Sequence, residues 1–449
     1  MRTQYLIVGL VVALGCGPAA PGTHGETDTG GDGDPGDGDG DPGDGDGDSD
    51  ATYVFDQNEL RTYELEISPP NWALLNEDPT AEIYVPAQLH FEGQTWGPIG
   101  VRYKGGYGSL YWCFDGQGNQ VCPKISMKLK FTEYSEGPLF YGLKRLNFHA
   151  MSGAGGGDTS KLHDRLGYNL FLDNGVIAPR AVHARLLING ELVGLFIVVE
   201  QIDGRFTDDR FPSDGDGNVY KEIWPIHQWE GPYLGALKTN EDQDPSAAKM
   251  VTFASALAAG GDAGFNGVIE QWMDADALMR YIAVDRAIEN WDGIVGLYGL
   301  PAGNHNYYWY EEGLADRVWL IPWDLDHTFD YPNPIVTNYG APAWNEVPQS
   351  CAGIPTFGGV SRYPAMCDDF IRRIVTQRHD EWTAAAQELL NTLYTQDELD
   401  SRVDFYANQI DAAVQEDPDL DYAQWQTAVD WLRADLLGLR DQLQAQIDG

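Results

Sequence analysis

Basic residues are scarce in this chain: 28 Lys and Arg stand against 69 Asp and Glu, a formal net charge of -41. Residues 26–50 hold eleven acidic residues and no basic one, and setting them aside still leaves about -30. So negative a chain has little with which to neutralise phosphates along a nucleic-acid backbone, so nucleic acid is excluded as a partner. Cysteine is scarce too, with five in 449 residues and no CxxC pair, which removes the usual zinc frameworks. No internal repeat is present. The apolar stretch Leu6 to Leu14 is too short to stay in a membrane as a spanning helix.

What is present at the N-terminus reads as an address. Arg2 precedes the apolar stretch, and Ala13-Leu14-Gly15-Cys16 resembles a bacterial lipobox, with Ala13 where Leu is usual. Residues 1–16 are expected to be a signal peptide with Cys16 lipidated, making the protein an exported one anchored to the cell envelope (periplasm or cell surface). An ordinary secretory signal is the alternative. Residues 17–50, Gly- and Asp-rich, cannot bury apolar surface and repel one another, so a disordered tether is expected. Proximity pairs the other cysteines as Cys113–Cys122 and Cys351–Cys367, suited to an oxidising compartment.

From Ala51 the composition becomes globular. Strands are expected over 63–67, 83–91, 96–103 and 125–131, and a short proline-opened helix over 70–77. The runs 181–188 and 192–199 flank Asn189-Gly190, a strong hairpin signal. Helical spacing marks 159–174, 246–259, 266–272, 275–289, 368–394 and 423–447. Residues 331–365 read as a Pro/Gly-rich loop. Nine of the 28 basic residues lie between Arg102 and Arg165, against five acidic ones. Beside the loop Lys104-Gly105-Gly106-Tyr107-Gly108-Ser109, this basic island suggests an anion pocket, most simply for a polyphosphate. A solvated strand face is the plainer reading of Lys128 and Lys130.

The densest chemistry lies between Asp285 and Asp330. Tyr307 to Tyr310 and Val318 to Ile321 read as two strands joined by a turn at 311–316, with Pro322 ending the second. Pairing would bring Asn304 and Asn306 to the same hairpin end as Asp324. Carboxylates and amides gathered there are ligands for a hard cation. His305 and His327 raise the question of zinc, but the Asp- and Asn-rich surroundings favour Mg2+ or Mn2+. Trp291, Trp309, Trp319 and Trp323 around the hairpin suit core packing better than a sugar platform.

A phosphate cover, a cation, a base and metal ligands are the parts phosphoryl transfer needs, and they occur here in the order protein kinases use. The pieces "VRYKGGYGSL", "KISMKLKF", "LNFHAM", "DTSKLHDRLGYNLF", "NGELVGLFIVVEQIDGRF", "GNVYKE", "NWDG", "NHNYYWY" and "WLIPWDLDHTF" together resemble the CotH kinase family, the spore-coat CotH-type atypical protein kinases. That resemblance implies an α+β, two-lobed atypical protein-kinase-like fold. A mainly antiparallel β N-lobe would span 51–205 and a mainly helical C-lobe 206–449. It also implies ATP, a divalent metal and phosphorylation of a protein hydroxyl, on a secreted or surface protein. Asp292 matches the general base. Lys128 matches the phosphate-contacting lysine, with Lys124 its alternate, and Arg102, Lys104, Gly105, Gly106, Ser109 and Glu200 fall on the nucleotide side. Asn306 and Asp324 match the metal ligands, with Asp326 beside them. The loop departs from the family's R-G-N-S-S, and Asp292 lies 14 residues before Asn306, a wide spacing for a kinase.

Two other readings compete. An exported protein meets little ATP, so the same fold could serve as a non-catalytic surface binding or adhesion module. Asp324-Leu325-Asp326 also fits the D-x-D motif of metal-dependent transferases, though these usually use parallel α/β sheets.

Overall fold

The computed structural model describes residues 51–106, 109–115, 117–152, 157–299 and 303–448. The expected signal peptide, Cys16 and the expected tether lie outside the described residues. The chain is a mixture of helix and strand. Strands β1 (Arg61–Ile67), β2 (Val85–Phe91), β3 (Gln94–Tyr103), β4 (Met127–Lys130), β5 (Arg145–His149), β6 (Ala181–Ile188) and β7 (Glu191–Glu200) pair in the order β1-β2-β3-β4-β5-β7-β6. β1 also pairs β6, in parallel, so the ring closes and leaves no edge. Every other pairing in the ring is antiparallel.

The period-two pattern explains the closure. Tyr63, Leu65 and Ile67 of β1 and Val85, Ala87, Leu89 and Phe91 of β2 all point into one apolar core, shared with Leu129, Phe148 and Val198. The β6–β7 turn falls on Asn189 and Gly190, both at positive φ (52° and 82°), as the hairpin signal predicts. Lys128 is buried on β4 rather than solvated, opposite Arg102 on one side and Asn147 on the other. Both expected disulfides form, Cys113–Cys122 and Cys351–Cys367.

A second core is mainly helical. It joins α1 (His163–Asp173), α2 (Ala248–Trp272), α3 (Ala275–Ala287), α4 (Asp369–Gln377), α5 (His379–Asn391), α6 (Gln396–Glu416) and α7 (Tyr422–Asp448) to a three-stranded sheet. That sheet is β8 (Asn218–Lys221), β9 (Tyr307–Glu311) and β10 (Val318–Pro322), with β9 central. The helical run α2 is interrupted at Gly261, whose φ of 53° and ψ of -151° are not helical, so it comprises two helices, as expected over 246–259 and 266–272. Helix α6 is absent from the expectations. Trp309 and Trp323 are buried in this core, with Trp319 packed against it, as packing rather than platform, and Trp291 is buried beside His327.

Polar contacts tie the cores together, among them those of Asp417 and Arg165. The carboxylate of Asp417, just past α6, accepts from Lys124 Nζ (2.5 Å) and from the Leu195 amide of β7 (2.7 Å). Gly194 is required there: a Cβ on it would come within 2.3 Å of Asp417 Oδ2, at a φ of 134°. The second link is Arg165 of α1, which donates to Gln57 O (2.6 Å) and to His183 Nδ1 on β6 (3.0 Å).

Arginine only donates, so His183 accepts at Nδ1 and gives its Nε2 proton to Lys161 O (2.6 Å). Burial, then the Arg165 charge, push the His183 imidazole down to about 3. The unfolded chain takes up that proton near about pH 6.5, and the folded chain resists until about pH 3. Stability should therefore fall as pH drops through this window, by about 1.4 kcal/mol per unit from this group. Urea midpoints between neutral and mildly acid pH measure the slope, and His183→Gln should flatten it.

Candidate active site

The site grows from the end of the β9–β10 hairpin. Tyr307 pairs with Pro322, and one step beyond, Trp323 N donates to Asn306 O (3.1 Å). Asn306 and Asp324 thus flank the same hairpin end, as the turn chemistry predicts. Both sit in the left-handed region, at φ 59° and 52°. Asn and Asp are the non-glycine residues that enter it most readily, and such strained positions cluster at functional sites.

Asp292 arrives beside them from the end of α3. There Asn290 Nδ2 and Arg286 Nη2 both donate to the buried Asp285 carboxylate (3.0 and 2.6 Å), and Arg286 Nη2 also reaches Asn290 O (2.6 Å). With the chain so pinned, Asn306 Nδ2 donates to Asp292 Oδ2 (2.9 Å) and Asp292 O (3.1 Å). Tyr298 OH donates to Asp292 Oδ1. The 14-residue separation of Asp292 and Asn306 is therefore closed by direct contact.

Helix α1 holds the other side. Asp324 N donates to Tyr168 OH (3.0 Å), Leu325 N to Asp164 Oδ1 (3.2 Å), and His163 Nδ1 lies 3.2 Å from Asp326 O. Asp158, in the loop before this helix, accepts from its first amide, His163 N (2.8 Å). Asp164 Oδ2 in turn lies 3.6 Å from His149 Nδ1, and His149 Nε2 is 3.0 Å from Lys104 Nζ. The glycine-loop lysine and the Asp324 loop are thereby connected through one histidine and one carboxylate. Asp164→Ala removes the acceptor that fixes Leu325 and should lower any metal-dependent activity ten- to a hundredfold, roughly the cost of losing a residue that orients a ligand. Activity measured beside an unchanged melting temperature checks it.

The electrostatics are those of crowded carboxylates. Burial, then Asp326, raise Asp324 to about 7, with Asp164 adding and His149 and Lys104 opposing. Burial, then Asp158, raise Asp164 to about 6. Burial also raises Asp326, helped by Asp164 and Asp292. For His327 burial alone disfavours the charged ring, but Asp326, Asp292, Asp324 and Asp330 together outweigh it and raise the imidazole. These groups titrate as a set.

Excess buried negative charge of this kind is relieved by a bound cation. The side-chain oxygens of Asp324, Asp326 and Asn306 are hard donors suited to Mg2+ or Mn2+. Among the described residues no group of three or more His, Cys, Asp or Glu is placed to hold a metal.

The other expected nucleotide-side residues fall out differently. Gly105 has φ 133°, and a Cβ there would lie 2.4 Å from Ser109 Oγ, so the loop is tight where Lys104 leaves β3. Ser109 Oγ and Gly106 O lie 3.4 Å apart within it. Arg102 donates to Glu82 and to Tyr103 O (2.9 Å). Lys124 and Glu200 sit in ion pairs. Lys124 is buried against Asp417, as above. Glu200 is clamped by Arg180 Nε (3.0 Å) and Arg210 Nη2 (2.5 Å). Burial alone would raise Glu200, and the two arginines overcome it and hold it low. Both side chains are committed to buried ion pairs that hold the fold.

A family model described as CotH kinase protein matches residues 101–434. The chain belongs to the CotH kinase family. The match opens on β3 and runs into α7, so it takes in Lys104, α1, Asp292 and the whole hairpin. The CotH-family relative "Inner spore coat protein H" of Bacillus subtilis (strain 168) is 22% identical over 284 residues, covering 61% of this chain and 70% of the relative. A solved structure, the Helicobacter pylori proinflammatory kinase CtkA, aligns with 71% of this chain and 94% of its own at 9% identity and a TM-score of 0.25, too low to carry an argument. His149, Asp164 and Tyr168, all inside CotH-type motifs, escaped the sequence reading. His149 in "LNFHAM" and Asp164 in "DRLGYNLF" were visible as polar residues in apolar runs.

Proposed function

We propose that the protein is a kinase-like phosphotransferase that moves the γ-phosphoryl group of ATP to the hydroxyl of a secreted or surface protein. The observation that carries this reading is the meeting of Asp292, Asn306 and Asp324 at one hairpin end. Asp292 is oriented by Tyr298 and Asn306 and serves as general base. It takes the proton from the acceptor O–H as that oxygen bonds to the γ-phosphorus. The bond from phosphorus to the bridging oxygen breaks, and its electron pair leaves on ADP. A divalent ion held by Asn306, Asp324 and Asp326 would offset charge on the phosphoryl oxygens. Lys104 and Lys128, with Arg102 behind Lys128, supply the cationic side, and Gly105, Gly106 and Ser109 the phosphate cover.

The reading extends to two lobes, 51–205 and 206–449, the first mostly strand and the second mostly helix. Helix α1 belongs to the first by sequence and to the helical core by packing. It also extends to export, with the protein held to the envelope by lipid on Cys16. Asp292→Asn tests the base. The variant should bind ATP with Mg2+ as the parent does, yet transfer label from γ-labelled ATP at least a hundredfold more slowly. Unchanged transfer would remove Asp292 from the chemistry.

A further inference from the structure

The Cys351–Cys367 disulfide closes a segment carrying a small hairpin, β11 (Ile354–Pro355) with β12 (Ser361–Arg362). That hairpin does not end in solvent. Tyr363 N donates to Leu297 O (2.7 Å) and Gly299 N to Ser361 O (2.9 Å), so β12 docks on residues 297–299, just after Asp292. Arg362 also bridges Tyr298 in antiparallel fashion.

The Arg362 side chain is then turned into the protein. Its guanidinium carbon lies 4.5 Å from the Tyr298 ring centroid and 5.7 Å from that of Trp291. Nη2 donates to Trp291 O, the carbonyl preceding Asp292. Nη1 is buried and finds no hydrogen-bond acceptor among the described residues. An incompletely paired buried guanidinium is costly, and a nearby charge must offset that cost. Burial pulls Arg362 down to about 10, with Asp292 opposing and Arg286 adding to the shift. The space is cut to fit: a Cβ on Gly296 would lie 2.6 Å from Arg362 Nη2.

We propose that Arg362 is a positioning residue for Asp292, delivered from the disulfide-closed segment and acting through Trp291 O and the Tyr298 ring. Tyr298 is held from one side by the guanidinium and gives its hydroxyl proton to Asp292 on the other. The base therefore sits between Asn306 and a tyrosine whose ring is fixed from 64 residues downstream. Its role in turnover rests on the phosphotransfer reading above; its hold on Asp292 does not.

Steady-state transfer from γ-labelled ATP by the full chain, at saturating Mg2+, tests the first part. Arg362→Ala should lower kcat on the order of ten- to a hundredfold and leave the KM for ATP within about twofold, because the phosphate side is untouched. Arg362→Lys should recover part of the loss, since it keeps the charge but not the planar fork. Gly296→Ala should reproduce the signature if Arg362→Ala fails to fold. A kcat equal to the parent's in Arg362→Ala, or full recovery of kcat by Arg362→Met, overturns the proposal. Urea unfolding of the nucleotide-free protein tests the second part. Arg362→Ala and Asp292→Asn combined should shift the midpoint by less than the sum of the single shifts, and strict additivity overturns the coupling. A parent protein without any transfer sinks the phosphotransfer reading alone, because the unfolding cycle still decides whether Arg362 holds Asp292.

Discussion

Asp324→Asn should cost at least about a thousandfold in phosphotransfer while leaving the protein folded and more stable than the parent. On the proposed function the loss follows from charge: removing one carboxylate from the pair proposed to hold the metal forfeits several kcal/mol of stabilisation for the transferring phosphoryl group, and three decades correspond to about 4 kcal/mol. The gain in stability follows from the same crowding. Burial, Asp326 and Asp164 all disfavour the Asp324 carboxylate. A neutral amide of the same shape relieves that repulsion, so the melting temperature should rise as activity falls, the trade-off expected of a strained functional site. A fall in both would mean that Asp324 holds the fold, contrary to its place here.

Asp417→Ala carries the largest expected stability effect. The side chains of Lys124 and Asp417 are 1% and 0% exposed, so the variant leaves a buried ammonium group that keeps its bond to Leu195 O (3.0 Å) but loses its carboxylate partner. Breaking one half of such a pair typically costs about 3–5 kcal/mol. The Leu195 amide loses its acceptor too, and α6 loses its tie to β7. Chemical denaturation of Asp417→Ala measures the loss. The double variant Lys124→Met/Asp417→Leu should regain most of it, because replacing both charges by apolar groups is far less costly than orphaning one.

Local signals in the sequence were sound and long-range ones were not. The β9–β10 hairpin, the Asn189-Gly190 turn and both disulfides are written in a few neighbouring residues, and all appear as expected. From them the meeting of Asn306 and Asp324 follows directly. Helix α6 escaped because its apolar positions, Leu399, Val403, Tyr406 and Ile410, are spread through a run rich in acidic residues that reads as solvent-exposed. The ion pairs of Lys124 with Asp417 and of Glu200 with Arg180 and Arg210 were not legible, because nothing near Lys124 or Glu200 in sequence announces those partners. Arg362 sat inside a stretch that reads only as a Pro/Gly-rich loop. Such pairings arise when distant segments pack, and periodicity carries no record of them.

The most direct test of the central claim is incubation of the purified protein with γ-labelled ATP and Mg2+ or Mn2+, beside Asp324→Ala. Label appearing on protein with the parent and vanishing with the variant is the predicted result. A parent that neither binds ATP nor transfers label would contradict it and leave a binding module on the same fold.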